Sequence, residues 1–338
     1  MCIRYRRNYT SMLNSVDMFL PVSDAVRYRI AFKRFVMTYR GYIERDVLYR
    51  GKPLPRDIVI SFPGALGDCV LLTAIIKSLK EAYSNLSISL QVHFPEIFEN
   101  NPYIKNVYAF RDKGLQGEVV KIDFSPLFSP AALPEYSFLE ALYRIVEKAI
   151  GLSIPRLRFP DIHLASDEIE RFKAKFQLPA AYWIINSGYK PTNPLKFYRH
   201  FQRVIDELPD IQFIQVGDTE SGRHKPLSNC INLIDRTSIR ELLILCSVSS
   251  GILSPITAVM HLGAAFDKPC VTIAGHRESR GFIQYPYNNH RIIEGGFICE
   301  YKGCNLYTGC KYETGQGYAE CVCSIEPDII VEAIRNML

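Results

Sequence analysis

From Asp57 onward, short β-branched and apolar runs alternate with stretches whose apolar residues recur at helical spacing, and the alternation passes through two series. Such a pattern demands a parallel sheet covered by helices, because neighbouring parallel strands need a crossover of a dozen or more residues between them. In the first series, 57–62, 88–92, 107–110 and 119–124 read as strands, and 70–83, 95–100 and 136–150 as helices. Residues 155–160, bounded by two prolines, read as a linker. In the second series, 182–186, 211–216, 251–253 and 270–274 read as strands, and 198–208, 238–247 and 258–266 as helices. The expected fold is therefore α/β, with two Rossmann-like doubly wound domains at 53–155 and 156–338 facing each other across a cleft. A length of 338 residues suits two such domains.

Composition narrows the class. With 48% hydrophobic and 22% charged residues, the chain can bury a sizeable core in each domain. It lacks both a long uninterrupted apolar run and a secretory signal pattern, so a cytoplasmic address is expected. Ten cysteines then read as reduced thiols, core residues or metal ligands rather than disulfides. Residues 1–52 hold eleven Lys/Arg against Asp17, Asp24, Glu44 and Asp46, although the whole chain carries only +5. This basic segment reads as an N-terminal helical extension, either with a solvated face or resting peripherally on an anionic membrane surface. Nucleic acid is not among the expected partners.

Four strand ends carry chemistry-bearing residues. The first is Gly64-Ala65-Leu66-Gly67-Asp68, where two glycines allow close backbone approach and a helix begins with free N–H groups. Asp68 at that mouth is either a general base for a hydroxyl group or a helix cap. The second is Asn186-Ser187-Gly188-Tyr189-Lys190 with Lys196 beyond it, lysines placed to neutralise a diphosphate, Lys196 being the better candidate. The third is Ile256-Thr257-Ala258 running into a helix that contains His261. Its mouth would hold donor phosphates, and His261 is either a donor contact or a structural residue. The fourth is Gly217-Asp218-Thr219-Glu220, where Asp218 and Glu220 either accept from ribose hydroxyls or form a plain turn.

Order and spacing of these pieces resemble the heptosyltransferase family, glycosyltransferase family nine. The resemblance rests on the Gly64-x-x-Gly67-Asp68 turn, the 100–107 and 232–242 stretches, and Met260-His261-Leu262-Gly263-Ala264-Ala265, and it spans 56–338. It implies a GT-B fold and an inverting transfer of a heptose-like sugar from an ADP-linked donor to a glycan or lipid-linked acceptor of the bacterial surface, lipopolysaccharide by default. It also implies that Asp68 is the base, that Lys196 contacts donor phosphate, and that the 256–258 loop holds the donor. The family has Asp-Ser/Thr-Gly where this chain has Ile256-Thr257-Ala258, so that loop brings no acidic contact to the donor sugar. Two other readings fit the same fold: a nucleotide-sugar or glycan binding module without turnover, and a nucleotide-sugar epimerase.

The transfer requires no cofactor, and no Asp-x-Asp triplet points to a divalent ion on the diphosphate. Cys299, Cys304, Cys310, Cys321 and Cys323 crowd a Gly- and Tyr-rich segment. The first four either hold a structural zinc or iron ion, as the family's cysteine-rich members imply, or pack an irregular loop as thiols. Arg277, Glu278 and Arg280 follow the 270–274 strand and read either as a cleft contact or as a surface ion-pair cluster.

Overall fold

A computed structural model describes residues 56–122, 137–151, 153–220, 222–278, 280–285, 289–301, 304 and 309–338. The expected N-terminal extension, 1–52, lies outside the described residues.

The first lobe is built on β1 (Asp57–Phe62), β2 (Ser87–Val92), β3 (Ile104–Ala109) and β4 (Glu118–Lys121), all parallel, in the order β3-β2-β1-β4. Strand β1 is central and buried from Ile58 to Phe62, as its near-continuous apolar run requires. Helix α1 (Leu66–Ala82) follows it, with ten residues of its 17 buried, and α2 (Phe138–Ile150) packs beside α1. Ser137 caps α2 by accepting from the Glu140 N–H, and Gly151 ends it in the left-handed conformation.

Helix α3 (Ser166–Phe176) leads into the second lobe, whose parallel strands are β5 (Trp183–Ile185), β6 (Phe213–Gln215), β7 (Cys230–Asn232), β8 (Gly251–Pro255), β9 (Cys270–Ala274) and β10 (His290–Glu294). Their order is β10-β9-β8-β5-β6-β7. The direction of winding reverses between β5 and β8, and the crevice outside their carboxyl ends is where such sheets take ligands. Helices α4 (Phe201–Asp206), α5 (Ile239–Ser247), α6 (Ala258–Ala265) and α7 (Pro327–Arg335) surround the sheet.

Differences from the sequence reading have local causes. The helix expected at 198–208 begins at Phe201, because Tyr198 is fully buried ahead of it and donates its hydroxyl to Ile325 O. Strands β7 and β10, the single turn Glu320–Cys323 and helices α3 and α7 are additions. Helix α3 presents one narrow apolar stripe, Ile169, Phe172 and Phe176, of which only Phe172 is buried, among charged residues.

The lobes are joined by one apolar cluster that includes Ile75 and Leu79 of α1 together with Met260 and Leu262 of α6. Beside it, Arg240 of α5 is 9% exposed. Its guanidinium donates to Glu96 O of the first lobe (3.1 Å) and His163 O of the linker (2.9 Å), and it pairs with Glu168 of α3. Removing one partner of a buried pair leaves the other charge uncompensated, typically at about 3–5 kcal/mol, whereas an exposed pair contributes about 0–1 kcal/mol. Arg240→Ala is therefore expected to lower the unfolding free energy by about 3 kcal/mol or more in urea titration, with Arg171→Ala, which breaks the exposed Arg171–Asp167 pair, as a near-neutral control.

Candidate functional site

The site begins where β1 turns into α1. A Cβ on Gly64 would stand 2.3 Å from the Phe62 ring and 2.7 Å from Asp68 Cβ, so only glycine lets the chain turn there. Ala65 is the cap residue of α1 and has no polar side chain, and Asp68 closes the turn from inside the helix, its Oδ2 accepting from Ala65 N–H at 2.8 Å. The carboxylate thus takes part in capping without being the cap residue.

Opposite lies the mouth of α6. Gly67 is so close to it that a Cβ would be 2.9 Å from His261 Cδ2 and 3.4 Å from Ala258 Cα. Two helix N-termini therefore abut, and their free N–H groups and dipole ends converge. Thr257 precedes α6 with its hydroxyl on Ser254 Oγ at 2.7 Å. His261 is buried, with Nδ1 2.6 Å from the Tyr285 hydroxyl. Burial, helped by Lys196 and His290, lowers its pKa to about 3, so the imidazole is neutral.

The lysines after β5 face Asp68. Burial pushes the Asp68 carboxyl up to about 6, while the Ala65 N–H, Lys190 and Lys196 pull it back down. Lys190 is exposed. Lys196 is not: Nζ donates to Ile256 O at 3.1 Å and pairs with Glu278 Oε1 at 2.8 Å. Burial and the neighbouring Arg277 hold Lys196 well below the usual lysine range. Arg277 donates to the same Glu278 oxygen. Both residues are buried, at 6% exposure each, so the surface-cluster reading of Arg277 and Glu278 is set aside. Arg280 opens the single turn Arg280–Ile283.

Ser187 sits at the end of β5 with its hydroxyl accepting from the buried Gln215 Nε2 at 2.7 Å. Asp218 and Glu220 are exposed, and Asp218 Oδ1 accepts from Glu220 N–H at 3.0 Å, the geometry of a side-chain-closed turn at the end of β6. His224 and Tyr285 had no motif to announce them, and Arg240 lies within the 232–242 stretch without having been singled out. His224 packs its ring where a Cβ on Gly188 or Gly217 would stand, 2.0–2.2 Å away. Tyr285 orients His261, and Arg240 ties the lobes. A cluster of glycines at two adjacent strand ends was the available signal for His224.

The cysteine-rich segment reads either as a metal site or as packed thiols. Among the described residues no group of three or more His, Cys, Asp or Glu side chains is arranged to hold a metal ion. The Cys321 sulfur instead accepts from His276 N–H at 3.3 Å and lies against Gly275, where a Cβ would be 2.9 Å from it. Burial, with Cys310, Cys299 and Cys304 nearby, pushes its thiol up to about 11, which keeps it protonated. Cys323 Sγ reaches Phe197 O at 3.7 Å. The segment thus braces both the loop that carries Arg277 and Glu278 and the chain next to Lys196.

Comparison with known proteins converges on one family. A model of glycosyltransferase family 9 (heptosyltransferase) matches residues 214–304. A curated lipooligosaccharide heptosyltransferase 2 from Haemophilus ducreyi is 23% identical over 210 residues, covering 54% of this chain and 56% of its own length. The resemblance to the heptosyltransferase family stands. This chain aligns with little more than half of that relative. In fold it is similar to a glycosyltransferase family 9 structure from Veillonella parvula (TM-score 0.63, 15% identity, 85% of this chain and 99% of that one). It is similar also to the E. coli ADP-heptose heptosyltransferase II (0.57, 16%, 83% and 98%). A third similar structure is the dodecameric iron-containing heptosyltransferase TibC in complex with ADP-D-β-D-heptose (0.62, 13%, 85% and 76%). The fold is GT-B.

Glycine at 64 is required by the core and the site together, since a Cβ would meet the fully buried Phe62 ring as well as Asp68. Gly64→Ala is therefore expected to lower the unfolding free energy by about 1–3 kcal/mol in urea titration.

Proposed function

We propose that the chain is an inverting glycosyltransferase that moves a heptose-like sugar from an ADP-linked donor to a hydroxyl of a surface glycan or lipopolysaccharide acceptor. The observation that carries the reading is one partly buried carboxylate, Asp68, facing two lysines, Lys190 and Lys196, across two abutting helix N-termini. An acid of pKa about 6 is ionised at neutral pH and is a better base than an ordinary aspartate.

In the reaction, Asp68 takes the proton of the acceptor hydroxyl as its oxygen attacks the anomeric carbon. The bond from that carbon to the diphosphate oxygen breaks on the opposite face, which inverts the centre. Lys196 and the N–H groups at the mouth of α6 receive the charge that develops on the departing diphosphate, with Thr257 and Ala258 as the first residues of that mouth. Lys190, exposed at the rim, draws the anion in. Ser187, the Gly217–Glu220 turn and His261 complete the donor side, and Gly64 and Gly67 contribute by letting the turn close on Asp68 and the two helix mouths meet.

Three features support the wider setting. The proteins this chain is similar to include a lipooligosaccharide heptosyltransferase and a heptosyltransferase structure holding ADP-D-β-D-heptose. Among the described residues no helix is long and apolar enough to cross a membrane. Residues 1–52 are strongly basic. Together they favour a cytoplasmic enzyme working peripherally at the inner membrane, where a lipid-linked acceptor is presented. The cysteine segment braces the donor side, and no step passes through it.

The deciding experiment is a thermal-shift and turnover screen against ADP-, GDP-, UDP-, dTDP- and CMP-sugars, with Asp68→Asn in parallel. An ADP-sugar is expected to stabilise both proteins, and turnover by the variant is expected to fall about 10²–10⁴-fold. Stabilisation without turnover in the parent would instead mark a binding module, and conversion of the sugar without acceptor an epimerase. The acid limb of kcat/KM should lie near pH 6, since activity requires the ionised form and falls as pH drops through that value. Lys190→Met removes a charge that lowers this pKa, so the limb should move to higher pH.

A further inference from the structure

Glu278 is the least satisfied charged group in the cleft. It is 6% exposed, and a buried carboxylate is costly unless its lone pairs find donors. Oε1 takes both Lys196 and Arg277, whereas Oε2 has no hydrogen-bond partner. Its place is as informative as its burial. Lys196 Nζ lies 2.8 Å from Glu278 Oε1 and 3.1 Å from Ile256 O, so the carboxylate stands beside the mouth of α6, where the diphosphate leaves.

The loop Ile256-Thr257-Ala258 carries no acid of its own. The two carboxylates that act on Lys196 are Asp68 and Glu278. Asp68 is engaged by Ala65 N–H and faces the acceptor side in the proposed reaction. Glu278 remains for whatever is attached to the diphosphate, and sugar hydroxyls are the donors that an anionic oxygen prefers.

We propose that Glu278 reads the glycosyl group of the donor, its Oε2 accepting from sugar hydroxyls once the diphosphate has taken over Lys196. This rests on the nucleotide-sugar reading above. A phosphate competing for Lys196 relieves one of the two cation contacts on Oε1, and Arg277 keeps the other. The last side-chain torsion of glutamate is broad, so the carboxylate then turns toward the cleft without leaving Arg277. A site that hydrogen-bonds a hydroxyl discriminates strongly against a ligand that lacks it, so Glu278 would separate a nucleotide sugar from the bare nucleotide.

The test is calorimetric titration of the full chain with ADP and with ADP-heptose, or with whichever nucleotide sugar the screen returns and its nucleoside diphosphate. The parent should bind the sugar nucleotide more tightly. Glu278→Gln should weaken sugar-nucleotide binding by roughly tenfold or more and change nucleoside-diphosphate binding by no more than about threefold. Equal weakening of both, or of neither, overturns the inference and leaves Glu278 as a counter-ion for Lys196 and Arg277. If Glu278→Gln loses its cooperative unfolding transition, Glu278→Asp keeps the charge but shortens the reach by one methylene. The same selective loss is expected there, and unchanged sugar-nucleotide affinity overturns the inference. Lys196→Ala should weaken both ligands together. If it weakens neither, or if the parent binds no nucleotide, the nucleotide-sugar reading itself fails, whatever Glu278→Gln does.

Discussion

The close approach of two helix N-termini at Gly67 is the contact on which the rest of the structure depends. The α1 and α6 helices can meet there only because no Cβ intervenes, and each brings a partial positive charge to the same point. Like ends repel, so the junction needs anionic character nearby. Asp68 provides it from the first lobe, whereas Glu278 of the second is offset by the two cations on its Oε1, Lys196 and Arg277. The apolar faces of the same helices run into one shared core, so the lobe interface and the charged cleft come from a single packing arrangement.

Around that junction the cleft is assembled from strand ends far apart in sequence. The turn before α1 brings Asp68, the segment after β5 brings Lys190 and Lys196, and the loop after β9 brings Arg277 and Glu278. A parallel sheet places all its carboxyl ends on one edge, which is why these groups meet. Their positions are then braced from behind. Cys321 and Cys323 fix the backbone at His276 and Phe197, each next to a charged residue of the cleft. The Cys321 and Cys323 thiols thereby support the backbone of the cleft.

Much of this was legible before any coordinates. Strands β1, β5, β8 and β9 are buried on both faces and show as mainly apolar runs, β2 shows by the alternation of Ile88, Leu90 and Val92, and the glycine turns after β1 and β5 mark sites of close approach. Helix α3 was missed because its stripe, Ile169, Phe172 and Phe176, is narrow and set among charged residues, and β7 because Cys230-Ile231-Asn232 is only half-buried and forms no apolar run. Asp68 and Lys196 were found because each follows a strand end. Glu278 was seen but left undecided, and Tyr285 and His224 were missed, because their importance lies in what they touch.

By itself, then, the sequence determined the α/β class, the two series of strands and the strand ends that bear charge, since all of these follow from local periodicity and turn chemistry. Tertiary structure alone decided that Asp68 carries a raised pKa, that Lys196 shares a carboxylate with Arg277, and that Cys321 and Cys323 meet the backbone at His276 and Phe197. The reason is physical. Burial, charge pairing and desolvation depend on which distant segments are brought within a few ångströms, and no local pattern encodes that distance.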